Sequence, residues 1–268
     1  GRTDQRAFTD VDIELLSVAA ERLVGAITAD KLAAEAAAAR LLERSLLPSG
    51  FPRVPGAEFA GRYAAANRTI GGDWYDVFTL PDGTLWLVVG DVAGHGLRSA
   101  AMMGRVRTTL RAYALLGSDP AGVLELADRT LHHFEMAAMT TVLCAVSAPP
   151  HDKFEISAAG HLPPILATPG GETTVVPVES DVPLGSFPEW HRTSVTVPMA
   201  LGAVLVLYTD GLVERPGESV DSGIEQVRAA VEADHPEVVC RTVMKRMVGA
   251  DSPADDVALL AMRRTEIT

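Results

Sequence analysis

The sequence predicts an α+β protein, in which mostly antiparallel strands form a sandwich of sheets that is covered by paired helices. Many short apolar segments are bounded by turn residues, as in strands. Longer segments with apolar residues at steps of three or four indicate helices, and these come in pairs. A hydrophobic fraction of 47% with 22% charged residues is enough for a large buried core. Strands and helices grouped in separate runs are typical of α+β folds.

The first predicted element is a long helix over residues 8–47. Thr9 and Asp12 form a capping pattern at its start, and Pro48 ends it. Apolar residues then recur at helical spacing at Leu16, Leu23 and Ile27. Because forty residues are long for one globular helix, we expect a coiled coil or packing against another domain, and a homodimer through these helices. The alternative is a helix pair folded back on the core.

The remaining chain is expected to form one domain over residues 48–268, after a helical linker over residues 1–47. Its predicted helices are 96–113, 119–134, Ser222–Ala233 and Pro236–Val248. Its predicted strands are Ala57–Ala66, Tyr75–Leu80, Leu85–Val89, Thr140–Ser147, Phe154–Ala158, Pro164–Ala167, Thr173–Pro177, Thr193–Val197, Ala203–Tyr208 and Val257–Arg263. The order of these elements favours antiparallel pairing between neighbouring strands.

A glycine-rich stretch, Gly71–Gly96, contains the first two candidate site residues. Two apolar runs flank a Pro-Asp-Gly turn, which predicts a β-hairpin. Asp73 precedes the first strand and Asp91 follows the second, so both carboxylates are expected at the open end of the hairpin. Two such carboxylates repel each other, and a divalent cation between them would remove the cost.

Two more aspartates stand at the boundaries of predicted core strands. Asp210 follows the apolar run Ala203–Tyr208, and Asp255 precedes the run that starts at Val257. Any one such aspartate is commonly a turn former or a helix cap. Four together favour a site whose ligands are all oxygen atoms, which suits Mg²⁺ or Mn²⁺ better than zinc.

The overall charge excludes one class of partner. A net charge of −12 argues against a nucleic-acid surface, which needs clustered Lys and Arg. No apolar run approaches the roughly 20 residues of a membrane span, and no signal peptide opens the sequence. Cys144 and Cys240 lie in apolar segments and are expected to be reduced thiols. We therefore expect a cytoplasmic protein that does not bind a membrane.

Four motifs in this order, GGDWYDVF, GDVAGHG, LYTDGLVE and DDVALL, resemble the SpoIIE-type branch of the PPM metal-dependent Ser/Thr protein phosphatases. The segment Ala158–Leu166 is also similar to a segment of that family. The resemblance covers about Leu46 to Arg263. A second one is carried by a single helix: FTDVDIELLSVAAERLVGAI is similar to the last helix of a GAF sensor domain and its linker.

The family resemblance implies a PPM-type pair of β-sheets with two metal ions, Mn²⁺ or Mg²⁺, at one end. It implies that Asp91 bridges both ions, that the Val92 carbonyl binds the second, and that Asp210 and Asp255 complete the first. Asp73 would bind through water or lie outside the ligand shell. The choice of Asp255 over Asp256 comes from the resemblance alone. Two ions can share a water molecule, lower its pKa and neutralise the attacked phosphate.

The same resemblance implies partners. The substrate would be a phosphorylated STAS-type antagonist of an anti-sigma factor, hydrolysed at phosphoserine or phosphothreonine in a bacterial partner-switching pathway. The chain would be part of a longer protein with a sensor domain upstream, acting through the linker. We further predict that the helix starting at Gly96, directly after the Asp91 loop, couples the linker to metal affinity.

Several residues and functions stay open at this point. Arg68 is a candidate for holding the substrate phosphate, or else an exposed arginine. His95 and His161 stand in turns and are interpreted as structural rather than catalytic. The Gly71–Tyr75 segment resembles the GGDEF loop of diguanylate cyclases, but Trp74 replaces its acid and the other aspartates would be unexplained. The remaining alternative is a regulatory or scaffold module that keeps the fold without activity.

Overall fold

The structure, a computed structural model, describes residues 9–46, 50–66, 71–117, 119–134, 139–179, 181–187, 190–215, 217–249 and 253–267. Two five-stranded sheets face each other, and a pair of helices covers the outer side of each. The helices are α1 (Asp10–Leu46), α2 (Leu97–Ala114), α3 (Pro120–Phe134), α4 (Val220–Ala230) and α5 (Pro236–Met247). The predicted α+β sandwich is confirmed.

The strands are β1 (Ala57–Ala64), β2 (Asp73–Thr79), β3 (Leu85–Val92), β4 (Thr140–Ser147), β5 (Lys153–Ala159), β6 (Ile165–Ala167), β7 (Thr173–Val175), β8 (Val195–Pro198), β9 (Val204–Tyr208) and β10 (Val257–Arg264). Sheet 1 has the order β1-β10-β9-β6-β7, and sheet 2 has the order β2-β3-β4-β5-β8. Every neighbouring pair within the two sheets is antiparallel.

Side chains on alternate positions of a strand enter different cores. In β3, Leu85, Leu87 and Val89 pack between the sheets, whereas Trp86 and Val88 pack under α2 and α3. A third core lies between sheet 1 and the pair α4–α5. Because both faces of the central strands are buried, these strands are apolar throughout instead of alternating with polar residues.

The first helix has the predicted extent, within the part of the chain that the structure describes. Thr9 and Asp12 bond reciprocally at its start: Thr9 N donates to Asp12 Oδ2 at 2.9 Å, and Asp12 N donates to Thr9 Oγ1 at 3.3 Å. The helix contacts α2, yet its side chains from Asp10 to Ala34 are exposed. Within the described ranges, no helix has the length and apolar character needed to cross a bilayer.

Several element boundaries differ from the prediction. Asp73 and Asp91 are the first and penultimate residues of their strands, because the β2–β3 ladder continues to the open end of the hairpin. Helix α4 begins at Val220 because the Ser219 side chain accepts a hydrogen bond from Ser222 N. The predicted boundary between linker and second domain, at residues 47–48, lies outside the described residues.

Candidate metal centre

Acidic side chains from both sheets meet at one end of the sandwich. Asp73 and Asp91 are direct partners in the β2–β3 ladder of sheet 2. Asp210 follows β9 of sheet 1 and opens a 3₁₀ turn, Asp210–Leu212. One carboxylate oxygen from each of the three lies within 4.8 Å of the other two. Residues 137 positions apart in sequence therefore form one acidic cluster.

Thr209 connects the two sheets at this cluster. Its hydroxyl donates to Asp73 Oδ2 at 2.6 Å and accepts from Ala258 N at 2.8 Å. Thr209 and Asp73 are both buried. Asp73 is therefore held by a buried hydrogen bond, whereas Asp91 and Asp210 are only partly buried. The sequence reasoning assigned no role to Thr209, although it stands in the LYTDGLVE motif.

Glycine allows the backbone to approach this cluster. A Cβ on Gly72 would lie 1.9 Å from the Val92 carbonyl oxygen and 2.7 Å from Asp91 Oδ1. A Cβ on Gly71 would lie 1.4 Å from Asp256 Oδ2. A side chain at position 72 would displace the strand end that holds Asp91 and Val92, and a side chain at position 71 would displace Asp256.

The two acids at the C-terminal motif have different environments. Asp256 is 7% exposed, and its Oδ1 accepts from Ala66 N at 2.7 Å. Asp255 is exposed, and its charge helps to raise the pKa of both Asp91 and Asp210. Asp256 therefore fixes the segment after β1, while Asp255 stands at the edge of the acidic cluster without belonging to its closest three carboxylates.

Burial and mutual repulsion raise the pKa values of the cluster. Burial raises the pKa of Asp73 well above its usual range, and the charge of Asp91 adds to this. Burial also raises the pKa of Asp91. The pKa of Asp210 rises to about 6, first through burial and then through the charges of Asp91, Glu214 and Asp255. Glu214, one turn after Asp210, was not among the predicted site residues.

This donor set fits a hard divalent cation. Three converging carboxylates offer only oxygen ligands, which Mg²⁺ and Mn²⁺ prefer. Among the described residues, no Arg or Lys forms an ion pair with any of the three. Burial and the neighbouring carboxylates both disfavour the charged forms of these acids, and a bound cation would offset that cost.

The other predicted residues lie in different settings. His161 is buried, and its ring nitrogens bond Thr141 Oγ1 at 2.8 Å and the Tyr208 carbonyl at 3.1 Å. It thereby connects β4 to β9 close to the acids. His95 is exposed in the loop between β3 and α2. Val92 is buried beside Gly72, and Arg68 lies outside the described residues.

A buried ion-pair cluster fastens α2 to the strand that begins with Asp73. Asp76 of β2 is 1% exposed and accepts from Arg107 Nε at 2.9 Å and from Arg111 Nε at 2.7 Å. Both guanidinium groups also reach its second oxygen. Helix α2 begins six residues after Asp91, so both sides of the hairpin are connected to this helix.

Comparison with known proteins identifies relatives of this chain. The family model described as Stage II sporulation protein E (SpoIIE) matches residues 81–265. Phosphoserine phosphatase RsbP of Bacillus subtilis (strain 168) is 24% identical over 157 residues, which are 57% of this chain and 39% of RsbP. The chain therefore spans well under half the length of that curated relative.

Two solved structures are also similar. The RsbU and RsbW domains of Rv1364c from Mycobacterium tuberculosis superpose with a TM-score of 0.73 at 32% identity, over 83% of this chain and 64% of that one. The PP2C phosphatase domain of SpoIIE from Bacillus subtilis, with a fragment of its regulatory domain, gives a TM-score of 0.65 at 17% identity, over 78% and 62% of the two chains. At that identity the second match establishes the fold alone.

Proposed function

The chain belongs to the SpoIIE family, and on that premise we propose that it is a metal-dependent protein serine/threonine phosphatase with two Mn²⁺ or Mg²⁺ ions. The convergence of Asp73, Asp91 and Asp210 at the end of the sandwich is the observation that carries the proposal. An acidic site without a basic partner would repel a phosphorylated substrate, because both are negatively charged. Bound cations would neutralise the carboxylates and the phosphate.

The environments of the acids support separate roles. Asp91 stands in the middle of the cluster, between Asp73 on the neighbouring strand and the charges of Asp255 and Glu214. We assign Asp91 as the residue that both ions would share, and the Val92 carbonyl as a ligand of the second ion alone. Asp210 and Asp255 would complete the ligands of the first ion. Asp73, held by Thr209, lies deeper and binds through water or orients the others.

When bound, two ions would lower the pKa of a shared water molecule and neutralise the phosphate that it attacks. The protein's own contribution is to fix the ligands in place. The Thr209 and Asp256 hydrogen bonds hold the strand ends of both sheets, and His161 connects β4 with β9 behind them. The reaction assigned to the site is in-line hydrolysis of a phosphoserine or phosphothreonine ester, without a covalent enzyme intermediate.

The proposed substrate is a phosphorylated STAS-type antagonist of an anti-sigma factor. Support comes from the relatives, one of which is named a phosphoserine phosphatase while another combines RsbU and RsbW domains. Both cysteines are free and buried, which fits a reducing compartment, and we place the protein in the cytoplasm.

Residues 1–47 are proposed to be the linker from an upstream GAF-like sensor, and residues 48–268 the phosphatase domain. The exposed apolar side chains of α1 support a homodimer through this helix. The contact of α1 with α2, which starts directly after the Asp91 loop, gives the linker a route to the acids.

Phosphate release from the phosphorylated antagonist tests the proposed activity. We expect release with Mn²⁺, loss of release with EDTA, and a drop of at least about 100-fold for Asp210→Asn. Asp152→Asn, which removes the same charge from an exposed position in the β4–β5 turn, should retain full activity. Equal rates under all these conditions would overturn the metal-dependent mechanism.

The alternative is a module that keeps the fold without activity. Such a module would be free to lose its ligand carboxylates, and its acids would not need to meet. Here the acids at all predicted ligand positions are present and three of them converge, so the geometry favours the enzyme. Metal-stimulated phosphate release separates the two, because the inactive module would give none.

A further inference from the structure

Two large aromatic side chains are exposed in the loop between β7 and β8. Phe187 is 48% exposed and Trp190 is 38% exposed, and their rings lie 5.5 Å apart. They belong to the aromatic loop, defined here as residues 181–187 and 190–192, between β7 and β8. Among the described residues, neither ring belongs to any of the three cores.

The aromatic loop is fastened to the end of sheet 2 that carries the acids. Leu184 forms a β-bridge with Thr140, which is paired on its other side with Val92. Two strand spacings of about 4.8 Å place Leu184 roughly 10 Å from Val92. Pro183 packs so closely on Gly160 that an added Cβ there would lie 2.7 Å away.

A buried arginine holds the base of the loop. The Arg192 side chain is fully buried, and it donates to Asp128 Oδ2 at 2.7 Å, to Asp181 Oδ1 and to the Val182 carbonyl. The Trp190 indole N–H donates to the other oxygen of Asp181 at 2.9 Å. The exposed rings therefore stand on a fixed support instead of a free loop.

We propose that the Phe187–Trp190 pair is a docking surface for the phosphoprotein substrate. This inference rests on the proposed function. A protein interface of standard size covers about 800 Å² on each partner, which corresponds to a radius of about 16 Å. The base of the aromatic loop, at Leu184, falls within that radius of Val92, so a folded protein that brings its phosphoserine to the acids can also contact the exposed pair.

The chemistry of the pair suits this role. Aromatic residues, Trp above all, are enriched among the side chains that supply most of the binding energy in interfaces. A pair whose rings already contact each other, and whose indole N–H is already hydrogen-bonded, loses little conformational freedom on binding. A small phosphate ester reaches only the acids, so the pair should discriminate between a protein substrate and a small one.

The test compares two substrates on the whole chain. Phosphate release is measured with Mn²⁺ from a phosphoserine-bearing STAS-domain protein and from para-nitrophenyl phosphate. The variants are Phe187→Ala, Phe187→Ala/Trp190→Ala, and Trp190→Phe, which keeps an aromatic ring but loses the bond to Asp181. Leu201→Ala, at a site 49% exposed in the turn before β9, is the control at the opposite end of the sandwich.

We expect the double variant to raise KM for the phosphoprotein by about tenfold or more, with para-nitrophenyl phosphate hydrolysis unchanged. Trp190→Phe should lie close to the unmodified protein, and Leu201→Ala should match it with both substrates. Unchanged phosphoprotein KM in the double variant would overturn the docking surface alone. So would an equal loss with both substrates, which would make the loop a support for the metal centre.

Two further outcomes also count against the proposal. A lower molar mass for the double variant in light scattering would mean that a second copy of this chain occupies the pair. Hydrolysis of para-nitrophenyl phosphate by the unmodified protein without release from the phosphoprotein would overturn the proposed function together with the docking surface. Phosphate release by the unmodified protein from the phosphoprotein therefore distinguishes a failure of the docking surface from a failure of the proposed function.

Discussion

Asp73 lies directly opposite Asp91 across the β2–β3 ladder, so two carboxylates occupy paired positions that normally disfavour like charges. We expect this arrangement to cost stability without metal and to supply ligands when cations bind. The two carboxylates therefore repel each other in the metal-free folded state, and a bound cation would reduce this repulsion.

The first prediction concerns that repulsion. Asp73→Asn should raise the unfolding free energy of the metal-free protein by about 1 kcal/mol, because it removes one of two paired buried charges. The same variant should gain less stability from added Mn²⁺. Thermal unfolding in EDTA and across a Mn²⁺ titration measures both effects. Asp152→Asn is the matched control, and a destabilised Asp73→Asn protein in EDTA would contradict the expectation.

The second prediction separates Asp255 from Asp256. Asp255→Asn should weaken Mn²⁺ binding about tenfold or more while the unfolding transition in EDTA stays in place, because Asp255 is exposed beside the acids. Asp256→Ala should instead lower the unfolding free energy by about 1–3 kcal/mol, since it removes the carboxylate oxygen that accepts from Ala66 N in a buried position. Calorimetric titration measures the Mn²⁺ affinity of each variant, and denaturant unfolding measures its stability. Weaker Mn²⁺ binding for the Asp256 variant and lower stability for the Asp255 variant would exchange the two roles.

Much of the fold was predictable because its strands are short, apolar and bounded by turns. The hairpin that brings Asp73 and Asp91 together follows from a Pro-Asp-Gly turn between two apolar runs, a local signal. That Asp210 belongs to the same site was predicted from its position at the end of an apolar strand, and its individual role came from the family motifs. The position of Asp210 next to Asp73 and Asp91 depends on how the two sheets face each other, and the periodicity of the sequence does not determine that arrangement.

The contacts that were missed join distant parts of the chain. Asp256 bonds Ala66 N across 190 residues, and Thr209 bonds Asp73 across 136. Thr209 directly precedes Asp210 in the sequence, which is a weak signal that its hydroxyl forms a hydrogen bond at the acidic cluster. The aromatic loop has no periodicity at all, and its support by Arg192 is a tertiary arrangement that single-sequence patterns cannot show.

The third prediction concerns pH. Burial lowers the pKa of His161 to about 4, whereas in the unfolded chain it titrates near 6.5. Between these values the unfolded state binds the extra proton, so the stability that His161 confers is full above pH 6.5 and is lost as the pH falls towards 4. The shift corresponds to about 3 kcal/mol.

The raised pKa values of the acidic cluster change the unfolding free energy with pH in the opposite direction. The contribution of His161 is therefore measured as a difference between the unmodified protein and a His161 variant. The unfolding free energy of the unmodified protein minus that of His161→Gln should increase by about 3 kcal/mol from pH 4 to pH 7. Chemical denaturation at several pH values provides the measurement. His132→Gln, at an exposed position on α3, should show no such increase, and a flat difference for His161 would contradict its buried neutral state.

The fourth prediction concerns the first helix. Apolar residues on this helix recur at alternating steps of three and four and are all exposed, which is the pattern of a coiled-coil seam: Ile13, Leu16, Ala20, Leu23 and Ile27. Leu16→Glu/Leu23→Glu should convert the dimer into a monomer. Leu15→Glu/Val18→Glu makes the same chemical change outside that seam and should leave the dimer intact. Sedimentation equilibrium distinguishes them, and equal masses for both double variants would exclude this seam.

The fifth prediction concerns the coupling between α2 and the acids. Asp76 is buried with its charge offset by Arg107 and Arg111, so Asp76→Asn leaves two guanidinium groups without their partner and should lower the unfolding free energy by about 3 kcal/mol. Arg111→Met should cost less, because the Arg111 side chain is 41% exposed and also lies over the Phe78 ring.

We expect the same contacts to connect the proposed linker with metal affinity. Helix α2 touches α1 on one side, is fastened to β2 through Asp76, and starts directly after the loop that follows Asp91. Deleting residues 1–45 removes a helix whose described side chains lie outside the three cores, so the domain should stay folded while its Mn²⁺ dependence and oligomeric state change. Arg111→Met should shift the Mn²⁺ concentration for half-maximal activity in the full chain. If neither change moved that concentration, α2 would be a structural helix and the linker would have to act on the acids by another route.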